Sequence, residues 1–269
     1  MKINFTKNTC AIYRNTFKQF IHYIGNIELT CIMIRDIENY KAYRLKRVNK
    51  STCNIDIRTL KAVFNIAKKW SLIDNNPLDM VKQFKTEEKE ILYMNKTELE
   101  NLMFVIDDNN LKNIINFALN TGVRISELIY IQWSDVDLKE RILTIKNKKQ
   151  FNTKSKRNRK IPLNDKAFKI LKRRNKYNES EYIFKNTCSR QFSRDHLTRL
   201  FKKYVREADL PDKFHFHCLR HTFITELIKN GVNINYVKEL AGHSDIKTTM
   251  NYIHLVTDDL RKAVNSICS

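Results

Sequence analysis

Glycine and proline are scarce in this 269-residue chain, with four of the first and three of the second. That argues against a turn-rich β fold, which needs many left-handed or fixed-φ positions. Acid is also in short supply: 29 Asp and Glu stand against 50 Lys and Arg, for a formal net charge of +21. A soluble chain with such a surplus meets a polyanion, usually nucleic acid. The plain alternative is a lysine-rich surface of the kind AT-rich coding produces, since Lys, Asn and Ile are all abundant. No apolar run approaches the ~18 residues of a membrane span, and residues 1–20 are polar and interrupted where a signal peptide would be apolar. The six cysteines, at 10, 31, 53, 188, 218 and 268, form no C-x-x-C pair. A zinc ribbon or dithiol motif is therefore not expected, and the expected setting is a reducing cytoplasm with free thiols.

What the chain does contain is helical periodicity. Tyr13, Phe17, Phe20, Ile21 and Ile24 recur at helical spacing, as do Leu60, Val63, Phe64 and Ala67, and Asn76-Pro77 stops the pattern. Residues 82–92 (KQFKTEEKEIL) read as a charged linker. A fresh start follows, with Asn95 or Thr97 as cap for a helix through Leu99, Leu102 and Met103. An apolar helix over 111–120 ends at Thr121-Gly122, where glycine suits a left-handed C-cap. Residues 141–146 (RILTIK) and 158–163 (NRKIPL) alternate like the strands of a β-hairpin with a long basic tip. Between 141 and 176 there are 15 Lys and Arg and a single acid, Asp165. The remainder, 166–269, reads as helices broken near Pro211, Gly231 and Gly242. The fold expected is mainly α with a small β-hairpin or sheet, in two domains.

Six scattered residues carry candidate chemistry: Arg124, Lys154, His217, Arg220, His243 and Tyr252. Guanidinium groups bind non-bridging phosphate oxygens in a planar, bidentate way. Arg124 also stands three residues before Glu127, the spacing of an ordinary helical ion pair. His217 and Arg220, three apart, share a helix face. An imidazole there can exchange a proton with a nucleophile or donate to a phosphate oxygen. His243, in Ala-Gly-His-Ser, reads as sitting near a helix start, where it can bond a phosphate. A phenol such as Tyr252 attacks a phosphodiester only if the phosphorane is charge-stabilised. Lys154, eight residues before Pro162, lies at the hairpin tip, where an ammonium can protonate a leaving oxygen or simply contact backbone phosphates. Lys146, Lys148, Lys149, Lys156, Arg157 and Arg159 are expected to bind DNA phosphates.

Together these runs resemble the tyrosine recombinase, or phage integrase, family, in its Xer-like or mobile-element branches. TGVRISEL looks like the first arginine box, HFHCLRHTF the H-x-x-R box, and LAGHSDIKTTMNYIH the Gly-His-Ser box, with the tyrosine nine residues after the histidine. TKSKRNRKIPL is similar to the hairpin that carries the family's catalytic lysine, which selects Lys154. Residues 1–81, including FNIAKKWSLIDNNPL, look like the helical, SAM-like core-DNA-binding domain; 93–269 then corresponds to the catalytic domain with a tail helix. All six positions hold the expected residue type.

The resemblance implies a site-specific recombinase in which Tyr252 attacks the scissile phosphate, leaving a 3′-phosphotyrosyl bond and a free 5′ hydroxyl. Arg124, Arg220 and His243 would stabilise the transition state, His217 would handle the tyrosine proton, and Lys154 would act as acid on the 5′ oxygen. No metal or nucleotide cofactor is implied. The implied partners are double-stranded DNA and three further copies in a tetramer on two sites. Leu260, Val264 and Ile267 of the tail would meet a neighbouring subunit, and there is room for a second recombinase or an accessory DNA-bending protein. Three rivals share parts of this pattern. His215-Phe216-His217 with His221 nearby matches the metal-binding triplet of nickases that present it on a strand. A type IB topoisomerase shares the cleavage chemistry. A DNA-binding regulator on this scaffold would have lost one of the six residues, and none is lost.

Overall fold

The computed structural model describes residues 6–87, 90–148, 158–175, 181–186 and 191–253. The chain forms two compact units, Met1–Lys89 and Glu90–Ser269.

The first unit is built on α1 (Lys7–Ile24), α2 (Ile34–Leu45) and α3 (Lys50–Lys69). Thr6 and Asn49 cap α1 and α3, each accepting from a backbone N–H three residues on, which satisfies donors that a helix start would leave orphaned. The apolar stripes close on a core of Phe20, Ile37, Tyr40, Ile57, Leu60 and Phe64. Asp56 is buried within it and answered by Arg44 Nε at 2.8 Å and Thr16 Oγ1 at 2.7 Å, so the charge is paired where solvent cannot screen it. α3 ends at Lys69, and Ser71 takes a left-handed φ of 56°; the turn comes before Asn76-Pro77 is reached. Asn54 brackets Phe84, donating to its carbonyl at 2.9 Å and accepting from its N–H at 2.8 Å. The opening residues of the expected 82–92 linker are thus pinned to α3. At its other end, Leu92 packs against the core of the second unit.

The second unit runs α4 (Lys96–Val105), α5 (Asn109–Thr121), the single turn α6 (Ile125–Leu128), three short strands, and then five further helices. Asn95 is the cap of α4, in a reciprocal box with Glu98. The strands β1 (Val136–Asp137), β2 (Ile142–Ile145) and β3 (Arg159–Pro162) form one antiparallel sheet in that order, with Leu143 opposite Ile161 and Ile145 opposite Arg159. β1 was not expected from the sequence, because two residues carry no period. α7 (Asp165–Asn175), α8 (Arg194–Glu207), α9 (His217–Lys229), α10 (Ile234–Ala241) and α11 (Lys247–Met250) complete the unit. α5 lies at the centre, packed by α7 and α9. Its Ile114, Phe117 and Ala118 share a core with Leu143, Ile145 and Ile161 of the sheet and Leu197, Phe201 and Val205 of α8.

The architecture is the expected one, mainly helical with a small sheet. The hairpin-tip residues Lys149, Lys154, Lys156 and Arg157, and the tail residues Leu260, Val264 and Ile267, lie outside the described residues. Among the described residues, no helix is long and apolar enough to cross a membrane.

Candidate active site

Two glycines at helix ends lay out the site. Gly122 ends α5 at φ 61°, and a Cβ there would stand 2.2 Å from Phe223 Cδ1. Gly242 ends α10 at φ 65°, and a Cβ there would stand 2.9 Å from Arg159 Cδ. Both positions require a left-handed residue with no side chain. Helix C-termini end in unpaired carbonyls at the negative pole of the helix, and three arginines occupy these. Arg220, from the first turn of α9, donates to Gly122 O at 2.6 Å and Ala241 O at 2.5 Å. Arg124 donates to Gly242 O at 3.1 Å. Arg159 of β3 donates through Nε to Leu240 O at 3.1 Å.

Glu127 ties two of these arginines together. Its carboxylate accepts from Arg159 at 2.9 and 2.6 Å and from Arg124 Nη1 at 2.8 Å, while Oε2 also accepts the Arg124 backbone N–H at 2.8 Å. Burial pushes this carboxyl up. The hydrogen bonds and charge of Arg159, helped by Arg124, outweigh that and hold it at about 2. The helical ion pair and the phosphate clamp are therefore compatible for Arg124: Glu127 takes one Nη1 proton and Gly242 O one Nη2 proton, and the guanidinium keeps further N–H donors for a phosphate.

The imidazoles and the phenol lie against this frame. Tyr252 is buried, its ring packed among Ile224, Val237 and Ala241. Its hydroxyl is 2.5 Å from His221 Nδ1. The His243 ring stacks beside Tyr252 at 6.4 Å between centroids, and its Nδ1 lies 2.8 Å from Thr249 Oγ1. His217, the first residue of α9, meets the His221 ring edge-on at 4.7 Å. Burial, then His221 and Arg220, lowers His217 to about 3. Burial, then Arg220 and Arg124, lowers His243 to about 3. His221 falls to about 4 through burial, His215 and Arg220. Burial lifts the Tyr252 phenol to about 12, against the pull of Arg220 and Arg124. At neutral pH the imidazoles are neutral and the phenol keeps its proton. Three guanidiniums then face one carboxylate, and that positive surplus in a low-dielectric site is complementary to a phosphate.

Five of the six candidate residues, Arg124, His217, Arg220, His243 and Tyr252, are gathered here, while Lys154 lies outside the described residues. Beside them β3 and α10 enclose a cleft of about 390 Å³ lined by Asn158, Arg159, Lys160, Lys238, Glu239, Gly242, His243 and Ser244. His243 follows the C-cap of α10 instead of opening a helix, because left-handed Gly242 stops α10 and α11 begins only at Lys247. His215 lies on irregular backbone and His217 at a helix start, neither of them on a strand. Among the described residues no three His, Cys, Asp or Glu are grouped to hold a metal.

Two basic residues expected at phosphates are employed inside the protein. Arg159 is the partner of Glu127. Lys148 Nζ bonds Tyr130 O at 2.8 Å, Gln132 Oε1 at 2.7 Å and Asp135 Oδ2 at 2.5 Å, since buried Asp135 needs a counter-charge. Lys146 reaches Ser134 O at 3.2 Å while staying largely exposed. The inward turn of Arg159 was readable from period two, because it shares a strand face with buried Ile161. The sequence alone suggests His221 only as a metal ligand. Its signal was the i,i+4 spacing from His217, which stacks the two on one face of α9.

Residues 92–258 match the Phage integrase family, and residues 5–85 match the phage integrase N-terminal domain. A tyrosine recombinase of Thermosipho africanus is 27% identical over 279 residues, covering 97% of this chain and 94% of its own length. The integrase of transposon Tn1549, solved with transposon right-end DNA, superposes with a TM-score of 0.83 at 22% identity over 100% of this chain and 96% of its own. Lambda integrase, solved as a tetramer bound to a Holliday junction, superposes with a TM-score of 0.76 at 19% identity over 90% of this chain and 73% of its own. At those identities the two structures speak to the fold alone.

Proposed function

This chain belongs to the phage integrase family, the tyrosine recombinases that cleave and rejoin DNA by transesterification onto a tyrosine, and from that premise we propose that Tyr252 is its nucleophile in a site-specific recombinase. The observation that carries the reading is the company Tyr252 keeps: a buried phenol whose charged neighbours are Arg220 and Arg124, with Arg159 joined to Arg124 through Glu127. Tyr252 attacks the scissile phosphate, forming a 3′-phosphotyrosyl bond and releasing a 5′ hydroxyl. Arg124, Arg220 and His243 stabilise the pentavalent transition state, where charge develops on the non-bridging oxygens. His217, beside both arginines, serves the same phosphate or the nucleophile's proton. Lys154 protonates the leaving 5′ oxygen. The bond energy stays in the phosphotyrosine, so the reaction needs neither metal nor nucleotide, and the 5′ hydroxyl of a partner strand reverses it.

The assembly belongs to the same reading. Residues 1–81 serve as the core-DNA-binding domain and 93–269 as the catalytic domain. Four copies act on two DNA sites, as the lambda integrase tetramer on its junction suggests, with Leu260, Val264 and Ile267 of the tail packing on a neighbour. Lys146, Lys149, Lys156 and Arg157 contact DNA phosphates.

A nicked duplex carrying a selected binding site tests the chemistry. In EDTA the wild-type chain is expected to form a denaturation-resistant 3′ adduct, and Tyr252→Phe none. A 5′ adduct that requires a divalent metal would replace this mechanism with another. Strand exchange between two sites, against sequence-independent relaxation of supercoils, then separates recombinase from topoisomerase.

A further inference from the structure

We propose that His221 is the residue that holds the Tyr252 hydroxyl and takes its proton during strand cleavage, leaving His217 to the phosphate; the proposal rests on Tyr252 being the nucleophile. Of the three imidazoles near the phenol, His221 is the one whose ring nitrogen lies in hydrogen-bond reach, with Nδ1 2.5 Å from the hydroxyl. His243 is stacked on the Tyr252 ring, but its Nδ1 faces Thr249 Oγ1 at 2.8 Å. His217 meets the edge of the His221 ring and, among the described residues, no bond joins it to Tyr252.

The contact is held from both sides. Tyr252 is seated against Ile224, Val237 and Ala241, which fixes where its hydroxyl can be. Ile224 stands on α9 three residues after His221, so one rigid helix carries both the imidazole and part of the wall behind the phenol. His221 directly follows Arg220, whose guanidinium is locked on Gly122 O and Ala241 O. The same helix turn therefore registers a phosphate-binding group and a proton acceptor against one nucleophile, the arrangement that general-base activation of a hydroxyl requires. A neutral imidazole is available to accept at physiological pH, since burial keeps His221 deprotonated. The proton moves as the bond forms, because the free phenol holds it firmly.

The Tyr252 oxygen forms a bond to phosphorus and the bond from phosphorus to the 5′ oxygen breaks. The phenol proton passes to His221 Nδ1, and the 5′ oxygen takes a proton from Lys154. On rejoining, the 5′ hydroxyl returns its proton to Lys154 while His221 returns its own to the departing Tyr252 oxygen.

The test is single-turnover cleavage of the nicked duplex by the full chain, with position 252 carrying either tyrosine or a ring-fluorinated tyrosine whose hydroxyl is more acidic. His221→Ala is expected to slow cleavage by roughly 10²-fold or more at unchanged DNA affinity, the size of a general-base contribution. The fluorinated phenol, needing less help to lose its proton, should restore most of that loss and little of the loss caused by His217→Ala. Should His221→Ala fail to fold, His221→Asn, which keeps a polar atom near the Nδ1 position, carries the same expectation. An unchanged rate in the His221 variants overturns the proposal. So does rescue confined to His217→Ala, which hands the proton to His217. An adduct that persists in Tyr252→Phe removes the nucleophile assignment instead, and no His221 variant enters into that result.

Discussion

Glu127 is the only acid in direct contact with the arginines of the site among the described residues, and it neutralises Arg159 and Arg124 from a buried position. Removing its charge leaves those guanidiniums uncompensated in a low dielectric. Glu127→Gln is expected to cost about 3 kcal/mol of stability at neutral pH and to abolish adduct formation by releasing Arg124. The pH dependence has a definite sign. The carboxyl is depressed from 4.5 to about 2 on folding, so its stabilisation is complete above pH ~4.5 and drains away as pH falls towards ~2. Urea unfolding of wild type and variant across that window should therefore converge at the acid end, and a gap of constant size would refute the linkage.

Helix endings position the chemistry more than helix faces do. α5 and α10 stop at left-handed glycines, and their terminal carbonyls become the sockets for Arg220, Arg124 and Arg159. Gly122→Ala combines a strained φ with a collision against Phe223, and about 3 kcal/mol of destabilisation is expected. Gly231→Ala is the control: φ is 70°, nothing lies within 4 Å of a new Cβ, and only the backbone cost of roughly 1 kcal/mol should appear. Thermal unfolding of the two variants checks both numbers, and equal losses would show that the Phe223 contact relaxes freely. The Thr121-Gly122 stop was legible in the sequence because a cap is a local device. The place of His243 was not, because the following helix starts four residues later than the Gly-His-Ser run suggests.

Charge is a property of the whole molecule. With a net +21, affinity for any duplex should fall steeply with salt, log K declining linearly with log salt as counterions return. How much each cation contributes depends on where its head group is. Lys160 is exposed on the cleft that His243 lines, and Lys160→Ala should lower the salt slope by about 1. Lys148→Ala should leave the slope as it was and destabilise the fold instead, because its ammonium is held by Asp135, Gln132 and Tyr130. Binding titrations over a salt series read both, and a flattened slope in Lys148→Ala would return that residue to the DNA surface.

Period, caps and composition were enough to reach a mainly helical chain with a basic hairpin, and six residues of four types in a fixed order, within their motifs, were enough to reach the phage integrase family. These are properties written in local spacing, where neighbours along the chain are neighbours in space. What lay beyond them concerns partners far apart in sequence. Arg159 and Glu127 stand 32 positions apart and His221 and Tyr252 31 apart, and no periodicity joins such pairs. Which carboxylate an inward-turned cation meets and which imidazole faces the phenol are settled only when α9, α10 and β3 pack, because a buried charge must find its counter-charge wherever the fold brings one.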